Sequence, residues 1–99
     1  MSIFQQKVYN IVKEIPRGRV ATYRAVAHAA GMDAASRAVG NALHKNPFSR
    51  VPCHRVICSD GSLGGFARGT HKKKQLLLEE GVQCKEGRVF EEYILRILK

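Results

Sequence analysis

TYRAVAHAAGMDAASRAVGNALHKN, residues 22–46, contains two short helical patterns joined by one turn. Thr22 can cap the first helix, in which apolar residues recur at helical spacing until Gly31 ends it. Asp33 is a suitable N-cap for the second helix, which stops before Pro47 because the residue ahead of a proline avoids helical geometry. Two helices of this length joined by a tight glycine-containing turn predict a helix-turn-helix.

The second of these helices carries unusually small side chains. Between residues 34 and 42 its only long side chain is Arg37, so the backbone can approach another surface closely. The groove of a nucleic acid is one such surface, and tight packing against neighbouring helices is the alternative. The pattern by itself favours packing.

The N-terminal helix and the segment after Pro47 are predicted from caps and turns. A capping box at Ser2 begins a first helix that ends at Pro16. Strand-forming residues in 50–58 and the turn signal at 59–62, which leads to Leu63, predict a short β-hairpin.

Two further helices are expected in the C-terminal half. Thr70 can cap a fourth helix that ends at Gly81. Apolar residues between positions 90 and 98 predict a last amphipathic helix. The chain is therefore expected to be mainly α with one small β-hairpin.

Length and charge limit the classes of protein that this chain can represent. A chain of 99 residues allows one domain with a single modest core. The net charge of +9 comes from 17 Lys and Arg against 8 Asp and Glu, and such a field favours a polyanionic partner such as nucleic acid. An anionic membrane surface and a merely solvated basic surface are the alternatives.

The composition gives no sign of export, membrane insertion or a bound metal. No apolar run approaches the roughly 20 residues needed to cross a bilayer, and residues 2–7 lack a signal-peptide core, so a soluble, intracellular protein is expected. The cysteines at positions 53, 58 and 84 form no C-x-x-C pair, which argues against a disulfide framework and a zinc ribbon. Reduced thiols without metal or other cofactor are expected, and a site that combines these cysteines with one histidine is the minor alternative.

Residues 51–55, VPCHR, place a potential thiolate beside a potential base. A thiol with an ordinary pKa of about 8.5 is mostly protonated at neutral pH, so a nucleophilic Cys53 needs a base or a positive field nearby. His54 and Arg55 are candidates by chain position only. Adjacent strand residues point to opposite faces, so His54 reaches the sulfur only if the backbone turns, as Pro52 allows, or if a water bridges them. The alternative is a buried structural cysteine before a surface histidine.

Residues 64–74 combine a glycine-rich loop with a basic helix start. Three glycines in Gly64–Gly69 permit close backbone approaches, so the loop can form the wall of a pocket, although an ordinary turn is the commoner use. The run at residues 71–74 puts cations at a helix N-terminus, against the helix dipole. A phosphate would relieve that conflict, and a solvated helix end explains it equally well.

Together these segments resemble one family, the O6-alkylguanine-DNA alkyltransferases. The resemblance rests on VPCHRVI at 51–57 and extends from about residue 3 to residue 82. Further matching residues are Tyr23, Arg37 in SRAVG, Asn46–Pro47, Gly64-Gly65-Phe66 and LLEEG at 77–81. It implies a winged-helix-like three-helix DNA-binding domain that acts as a monomer on double-stranded DNA through the minor groove. It also implies DNA repair in a single turnover, in which O6-alkylguanine is flipped out and its alkyl group is moved irreversibly to Cys53.

The resemblance also implies a role for each site residue. A glutamate at the position of Glu80 orients His54, which takes the Cys53 proton through a water. Asn46 holds the segment around the nucleophile, and the Tyr23 phenol donates to N3 of the guanine. The substrate and DNA contacts that the resemblance implies come from Ser36, Arg37, Asn41, Cys53 and Val56 (through their carbonyls), Phe66, Ala67 (through its backbone N–H) and Lys73.

Some features depart from the family pattern, and two other readings stay open. Relatives usually carry an additional N-terminal domain, whereas residues 1–99 are expected to form the active-site domain alone. Phe66 stands where a Tyr is common and Ala67 where a Ser occurs. An alkyltransferase-like lesion-binding protein has Trp or another residue in place of the nucleophile, and Cys53 argues against it. A plain helix-turn-helix regulator leaves residues 52–55 unexplained.

Overall fold

The computed structural model describes residues 1–66 and 68–96, and helices dominate this part of the chain. The helices are α1 (Ile3–Lys13), α2 (Tyr23–Ala29), α3 (Ser36–His44) and α4 (Thr70–Glu79). The strands are β1 (Ala21–Thr22), β2 (Val56–Ile57), β3 (Cys84–Lys85) and β4 (Arg88–Val89). The prediction of a mainly α fold is confirmed. In the described residues, no helix is both long and apolar enough to cross a membrane.

The first two helices begin where the sequence places their caps. At α1 the Ser2 hydroxyl accepts from the Gln5 backbone N–H at 3.0 Å, and the Gln5 side chain accepts from the Ser2 N–H at 2.9 Å. At α2 the Thr22 hydroxyl accepts from the Ala25 N–H at 3.0 Å. Gly31 follows α2 with φ +82°, a left-handed conformation that glycine adopts without strain.

The third helix begins later than predicted, and Asp33 is not its cap. Residue 35 is the N-cap of α3, and no side chain caps this helix. A turn closed by the hydrogen bond from the Ala35 N–H to the Met32 carbonyl, 3.0 Å, occupies the residues around Asp33. The Asp33 carboxylate instead pairs with the His28 ring at 2.5 Å. The predicted helix-turn-helix of α2 and α3 is still present, because only the first residue of α3 differs from the prediction.

The predicted β-hairpin between residues 50–58 and Leu63 is wrong. β2 pairs in parallel with β1, in the register Ala21 with Val56 and Thr22 with Ile57. Both residues of β2 are fully buried, so this strand pairs with a segment from the core rather than with an exposed return strand.

The antiparallel hairpin of the described chain lies further on, between β3 and β4. Its turn places Glu86 at φ +54° and Gly87 at φ +79°, the two positive values that a tight hairpin turn requires. The hairpin that belongs to the predicted fold is therefore present, but it is built by other residues.

The fourth helix ends as predicted and begins one residue earlier. Thr70 is its first residue, and Gly69, with φ +95°, takes the cap position without a side-chain hydrogen bond. At the other end Gly81 has φ +87° and donates to the Leu78 carbonyl at 3.0 Å. This glycine closes α4 where the sequence places the end.

The last amphipathic helix, predicted over residues 90–98, is wrong for the residues described. Only Glu91–Tyr93 form a single 3₁₀ turn. Ile94 then bridges Val20 in parallel, and the Leu95 N–H donates to the Val20 carbonyl at 2.8 Å. The segment is extended because its backbone pairs with the edge beside β1. Residues 97 and 98 of the prediction lie outside the described residues.

Two apolar clusters hold these elements. One lies among α1, α2 and α3, and the other lies beneath α4 around Val20, Leu77 and Val89. The two residues of β2 divide between them, because Val56 belongs to the first cluster and Ile57 to the second. The segment that carries Cys53 is therefore anchored directly between both clusters.

Candidate active site

A cationic cavity of about 1150 Å³ opens between α3, the segment at 46–55 and the loop residues 64–66 and 68. The Lys and Arg side chains that line it are Lys13, Arg37, Arg50, Arg55 and Arg68. Among the residues that the structure describes, no carboxylate lines this cavity. An anionic ligand therefore meets no like charge on the walls.

The backbone turns at the nucleophile candidate. Residues 53–55 form a single 3₁₀ turn, in which the Cys53 N–H donates to the Val51 carbonyl at 2.8 Å and the Arg55 N–H to the Pro52 carbonyl at 3.0 Å. The alternation of a strand, which would separate Cys53 from His54, does not apply here. Pro52 precedes the turn, as the sequence led us to expect.

The Cys53 sulfur is half-buried and has two polar neighbours. The Asn46 side-chain amide donates to Sγ at 3.0 Å, and Sγ lies 3.7 Å from the Leu43 carbonyl. Burial raises the pKa of the Cys53 thiol, and the hydrogen bond from Asn46 and the positive charge of Lys73 oppose this only in part. At neutral pH the sulfur therefore carries its proton and needs a base to remove it.

Asn46 is held in turn by the chain that follows it. Its side-chain oxygen accepts from the Phe48 N–H at 2.9 Å, and its amide donates to the Phe48 carbonyl at 2.9 Å. These two hydrogen bonds to Phe48 hold the Asn46 side-chain amide in the orientation that donates to Cys53 Sγ.

His54, Glu80 and Arg55 form a buried cluster next to Cys53 in the chain fold. The Glu80 carboxylate, 7% exposed, accepts from His54 Nε2 at 2.8 Å and from Arg55 at 2.9 and 2.8 Å. Burial acts to raise the pKa of Glu80, but the hydrogen bonds from Arg55 and His54 outweigh it and keep the pKa below its ordinary value. Arg55 also donates to the Ile15 carbonyl at 2.8 Å. The carboxylate is therefore ionised and held from two sides.

The cluster leaves His54 ready to accept a proton. Burial lowers the pKa of His54 despite the carboxylate of Glu80, so the ring is neutral at pH 7. Because the Glu80 carboxylate accepts at Nε2, that nitrogen carries the proton and Nδ1 is left as the basic nitrogen.

The sequence did not indicate the contact that Arg55 makes with Glu80. It showed Arg55 only as a chain neighbour of Cys53, whereas the guanidinium clamps Glu80 with two hydrogen bonds. No local spacing could have found this pair, because Glu80 lies 25 positions further along the chain.

Tyr23 lines the cavity, whereas Lys73, expected to contact substrate or DNA, is not among the lining residues and lies against Tyr23. Lys73 is fully buried and donates to the Tyr23 hydroxyl at 3.4 Å and to the Gly65 carbonyl at 3.2 Å. Burial, together with negative charge on Cys58 and Cys53, raises the pKa of Tyr23 to about 12. Burial lowers the pKa of Lys73 to about 8.

The glycine-rich loop does approach the cavity wall closely. Gly64 has φ +72°, and a Cβ there would lie 3.0 Å from the Cys58 sulfur and 3.3 Å from the Tyr23 ring. A side chain at this position would push the Tyr23 ring out of place, so the site needs glycine here.

The remaining site residues divide between the cavity and its surroundings. Ser36, Arg37 and Asn41 line the cavity from α3, with Arg37 and Asn41 exposed, and Phe66 lines it from the loop. Val56 is fully buried beneath the site. Position 67, expected to supply a backbone N–H, lies outside the described residues. In the ranges 1–66 and 68–96, no three His, Cys, Asp or Glu side chains are grouped to hold a metal ion.

The comparisons with known proteins agree on one family. A family model described as the DNA-binding domain of 6-O-methylguanine DNA methyltransferase matches residues 3–82. The chain is 49% identical over 80 residues to a methylated-DNA–protein-cysteine methyltransferase of Methanothermobacter thermautotrophicus, covering 80% of this chain and 44% of that protein. A protein of the same name from Sulfolobus acidocaldarius is 48% identical over 80 residues, 80% of this chain and 50% of its own. The chain belongs to this family, and it spans about half the length of these curated relatives.

Solved structures match the fold closely. S. pombe Atl1, in complex with damaged DNA containing O6-carboxymethylguanine, superposes with a TM-score of 0.85 at 38% identity and covers 97% of both chains. Mycobacterium tuberculosis OGT, in complex with DNA, gives a TM-score of 0.79 at 40% identity, with 82% of this chain and 50% of that chain covered. The family expected from the sequence and its fold are confirmed.

Proposed function

We propose that this chain repairs duplex DNA by moving the alkyl group of O6-alkylguanine, chiefly O6-methylguanine, onto Cys53 in a single irreversible turnover. The observation that carries the proposal is the position of the Cys53 sulfur. It lies in a cationic cavity, 3.0 Å from the Asn46 amide, on the turn that also carries His54, the partner of Glu80. A structural cysteine would not require this polar surrounding.

The residues around Cys53 fit the chemistry of transfer. His54 takes the thiol proton through a water, and Glu80 keeps the ring oriented and stabilises the imidazolium that forms. The thiolate then attacks the alkyl carbon, the bond from carbon to O6 breaks, and its electron pair passes to the guanine. Tyr23 neutralises that charge by giving a proton to N3. The sulfur keeps the alkyl group, so the protein acts once.

The exposed face of α3 suits a narrow groove in DNA. Its small side chains allow close approach, and Arg37 is long enough to fill the space left by a flipped base. Ser36 and Asn41 lie on the same wall of the cavity and would contact the duplex. Phe66 would form an apolar wall for the base, while the carbonyls of Cys53 and Val56 and the backbone N–H of Ala67 would read its edge.

Lesion binding without transfer is the second candidate. It is favoured by the match to Atl1 across nearly the whole of both chains, in a complex with damaged DNA. Cys53 and the buried His54–Glu80 pair favour transfer, because binding alone needs neither a nucleophile nor a base. A helix-turn-helix regulator also leaves these three residues without a role.

Mass spectrometry separates transfer from binding. After incubation with excess duplex containing O6-methylguanine, the peptide that carries Cys53 should gain one methyl group, and the same duplex with guanine should leave it unchanged. Binding alone predicts unmodified protein with both duplexes. Unmodified Cys53 after incubation with the lesion would refute the proposed transfer.

The mode of DNA binding has its own test. If the basic surface neutralises about five phosphates, a log-log plot of affinity against salt concentration should have a slope of about −4 to −5. Fluorescence anisotropy with a labelled lesion duplex at several NaCl concentrations measures this slope. An affinity that does not change with salt would contradict DNA binding through this surface.

A further inference from the structure

Arg50 is an exposed arginine on the cavity wall whose guanidinium is held in place before any ligand arrives. Its guanidinium carbon lies over the Phe48 ring, 5.5 Å from the ring centre. An arginine stacked in this way loses less conformational entropy when it binds an anion. Within the described part of the chain, no carboxylate forms an ion pair with Arg50. Its charge is therefore available to a ligand.

Phe48, which supports Arg50, is fixed through both its ring and its backbone. The ring meets Tyr9 edge-on, with the ring centres 6.0 Å apart, and the Tyr9 hydroxyl donates to the Ala42 carbonyl of α3 at 2.7 Å. The backbone N–H and carbonyl of Phe48 are both bound by the Asn46 side chain. The ring beneath Arg50 is therefore anchored to α3 and to the start of the segment that carries the nucleophile.

The position of Arg50 is also fixed relative to the Cys53 sulfur. The two residues are three positions apart, a length of chain that spans at most about 11 Å. Val51 lies between them and is buried. Its carbonyl accepts from the Cys53 N–H at 2.8 Å and from the Asn46 side-chain amide at 3.4 Å. A group that Arg50 binds is therefore held at a set place relative to the sulfur.

Resting on the proposed transfer, we propose that Arg50 binds a backbone phosphate of the lesion strand beside the flipped nucleotide and so aligns the alkyl carbon with the Cys53 sulfur. A phosphate suits the site because a guanidinium donates to two of its oxygens in a planar fork. The cavity walls that the structure describes hold no carboxylate to repel it. Arg50 touches no reacting atom, so it is a positioning residue.

Three other roles for Arg50 make different predictions. The cation that lowers the pKa of the Cys53 thiol is Lys73, so stabilisation of the thiolate does not require Arg50. A general attraction for DNA would strengthen binding to damaged and undamaged duplexes equally. A purely structural stack on Phe48 would affect thermal unfolding and leave the salt dependence of binding unchanged. The proposed contact forms only when a flipped nucleotide enters the cavity.

Duplex binding at several NaCl concentrations tests the contact. Arg50→Met should weaken binding to an O6-methylguanine duplex about 10-fold and binding to the undamaged duplex much less. The log-log salt slope for the lesion duplex should become shallower by about 1. Arg88→Met is the matched control, because it removes an exposed arginine from β4, outside the cavity, and should leave the slope unchanged. Equal losses for the two duplexes, or an unchanged slope in Arg50→Met, would refute the contact.

Neutral phosphates locate the partner of Arg50 on the DNA. A set of O6-methylguanine duplexes carries one uncharged methylphosphonate each, at successive positions of the lesion strand. For the unmodified chain, one position beside the lesion should lower the single-turnover rate at saturating duplex about 10-fold, and the same replacement should cost Arg50→Met almost nothing further. Phosphates bound by α3 should cost both chains equally, which provides an internal control. Equal losses in both chains at every position would exclude Arg50 as a phosphate ligand.

Two conservative variants test the alignment. Phe48→Leu keeps the charge of Arg50 and removes the ring beneath it, whereas Arg50→Lys keeps a charge and removes the planar fork. Both should preserve the salt slope and transfer about threefold more slowly at saturating duplex. Unchanged rates in both variants would refute the positioning role. Thermal unfolding of each variant shows whether a lower rate reflects lost structure.

These outcomes are distinguishable from failure of the proposed function, because duplex binding is measured without transfer. If Cys53 is never methylated, yet one methylphosphonate weakens lesion binding only when Arg50 is present, the phosphate contact stands and transfer is wrong. If Cys53 is methylated and no phosphate position depends on Arg50, transfer stands and only the role of Arg50 is wrong.

Discussion

We expect Cys53→Ala to abolish methyl transfer and to leave binding to a lesion-containing duplex nearly unchanged. The sulfur is the only atom in the proposed reaction that forms a bond to the alkyl carbon, so no neighbouring group can replace it. The loss of one half-buried sulfur removes little apolar area and leaves the hydrogen bonds of Asn46 to Phe48 in place. Binding should therefore survive.

Two measurements on the same samples check this expectation. Transfer is followed with a duplex labelled on the O6-methyl group, and binding with a fluorescent duplex. Cys84→Ala is the control, because it removes a thiol from β3, outside the cavity, and should keep normal transfer. Label on the Cys53→Ala chain would show that the nucleophile is assigned to the wrong residue.

We expect His54→Ala to slow transfer by about 10² to 10⁴ at pH 7. Burial raises the pKa of the Cys53 thiol, so without a base the thiolate is a small minority at that pH. As the pH rises toward the pKa of Cys53, hydroxide removes the proton instead. The difference in transfer rate between His54→Ala and the unmodified chain should therefore become smaller.

Single-turnover rates of both chains between pH 6 and pH 9 measure this difference. His71→Ala is the control, because His71 is exposed near the start of α4 and should leave the rate unchanged. A His54→Ala chain as fast as the unmodified one at pH 7, or a gap that is the same at every pH, would exclude His54 as the base.

Local signals in the sequence predicted local structure well. Ser2, Thr22 and Gly81 were placed correctly because their caps depend on hydrogen bonds that span only a few residues. Asp33 and Thr70 have the same chemistry as good caps, yet Ala35, two positions later, and Gly69, one position earlier, take the cap positions. The choice between nearby candidates depends on how the preceding turn closes, which local preference does not determine.

The nonlocal features of the site could not be read from the sequence. Lys73 stands in a run of three lysines, and no local pattern indicates that it alone is fully buried. The clamp of Arg55 on Glu80 joins two distant segments, and β2 finds its partner in β1 rather than nearby. Family resemblance supplied the candidate site residues because it encodes such contacts, whereas spacing along the chain does not.

The parallel pairing of β1 with β2 has a consequence for the spacing of Tyr23 and Cys53. Tyr23 directly follows β1, and the turn of Cys53 directly precedes β2. Backbone hydrogen bonds between two short strands therefore set the separation of sulfur and phenol, and a slip of one residue would shift it by about 3.3 Å and reverse the side chains. In the unfolded chain this strand pairing is absent, so the Cys53 thiol has ordinary reactivity and no defined position relative to Tyr23.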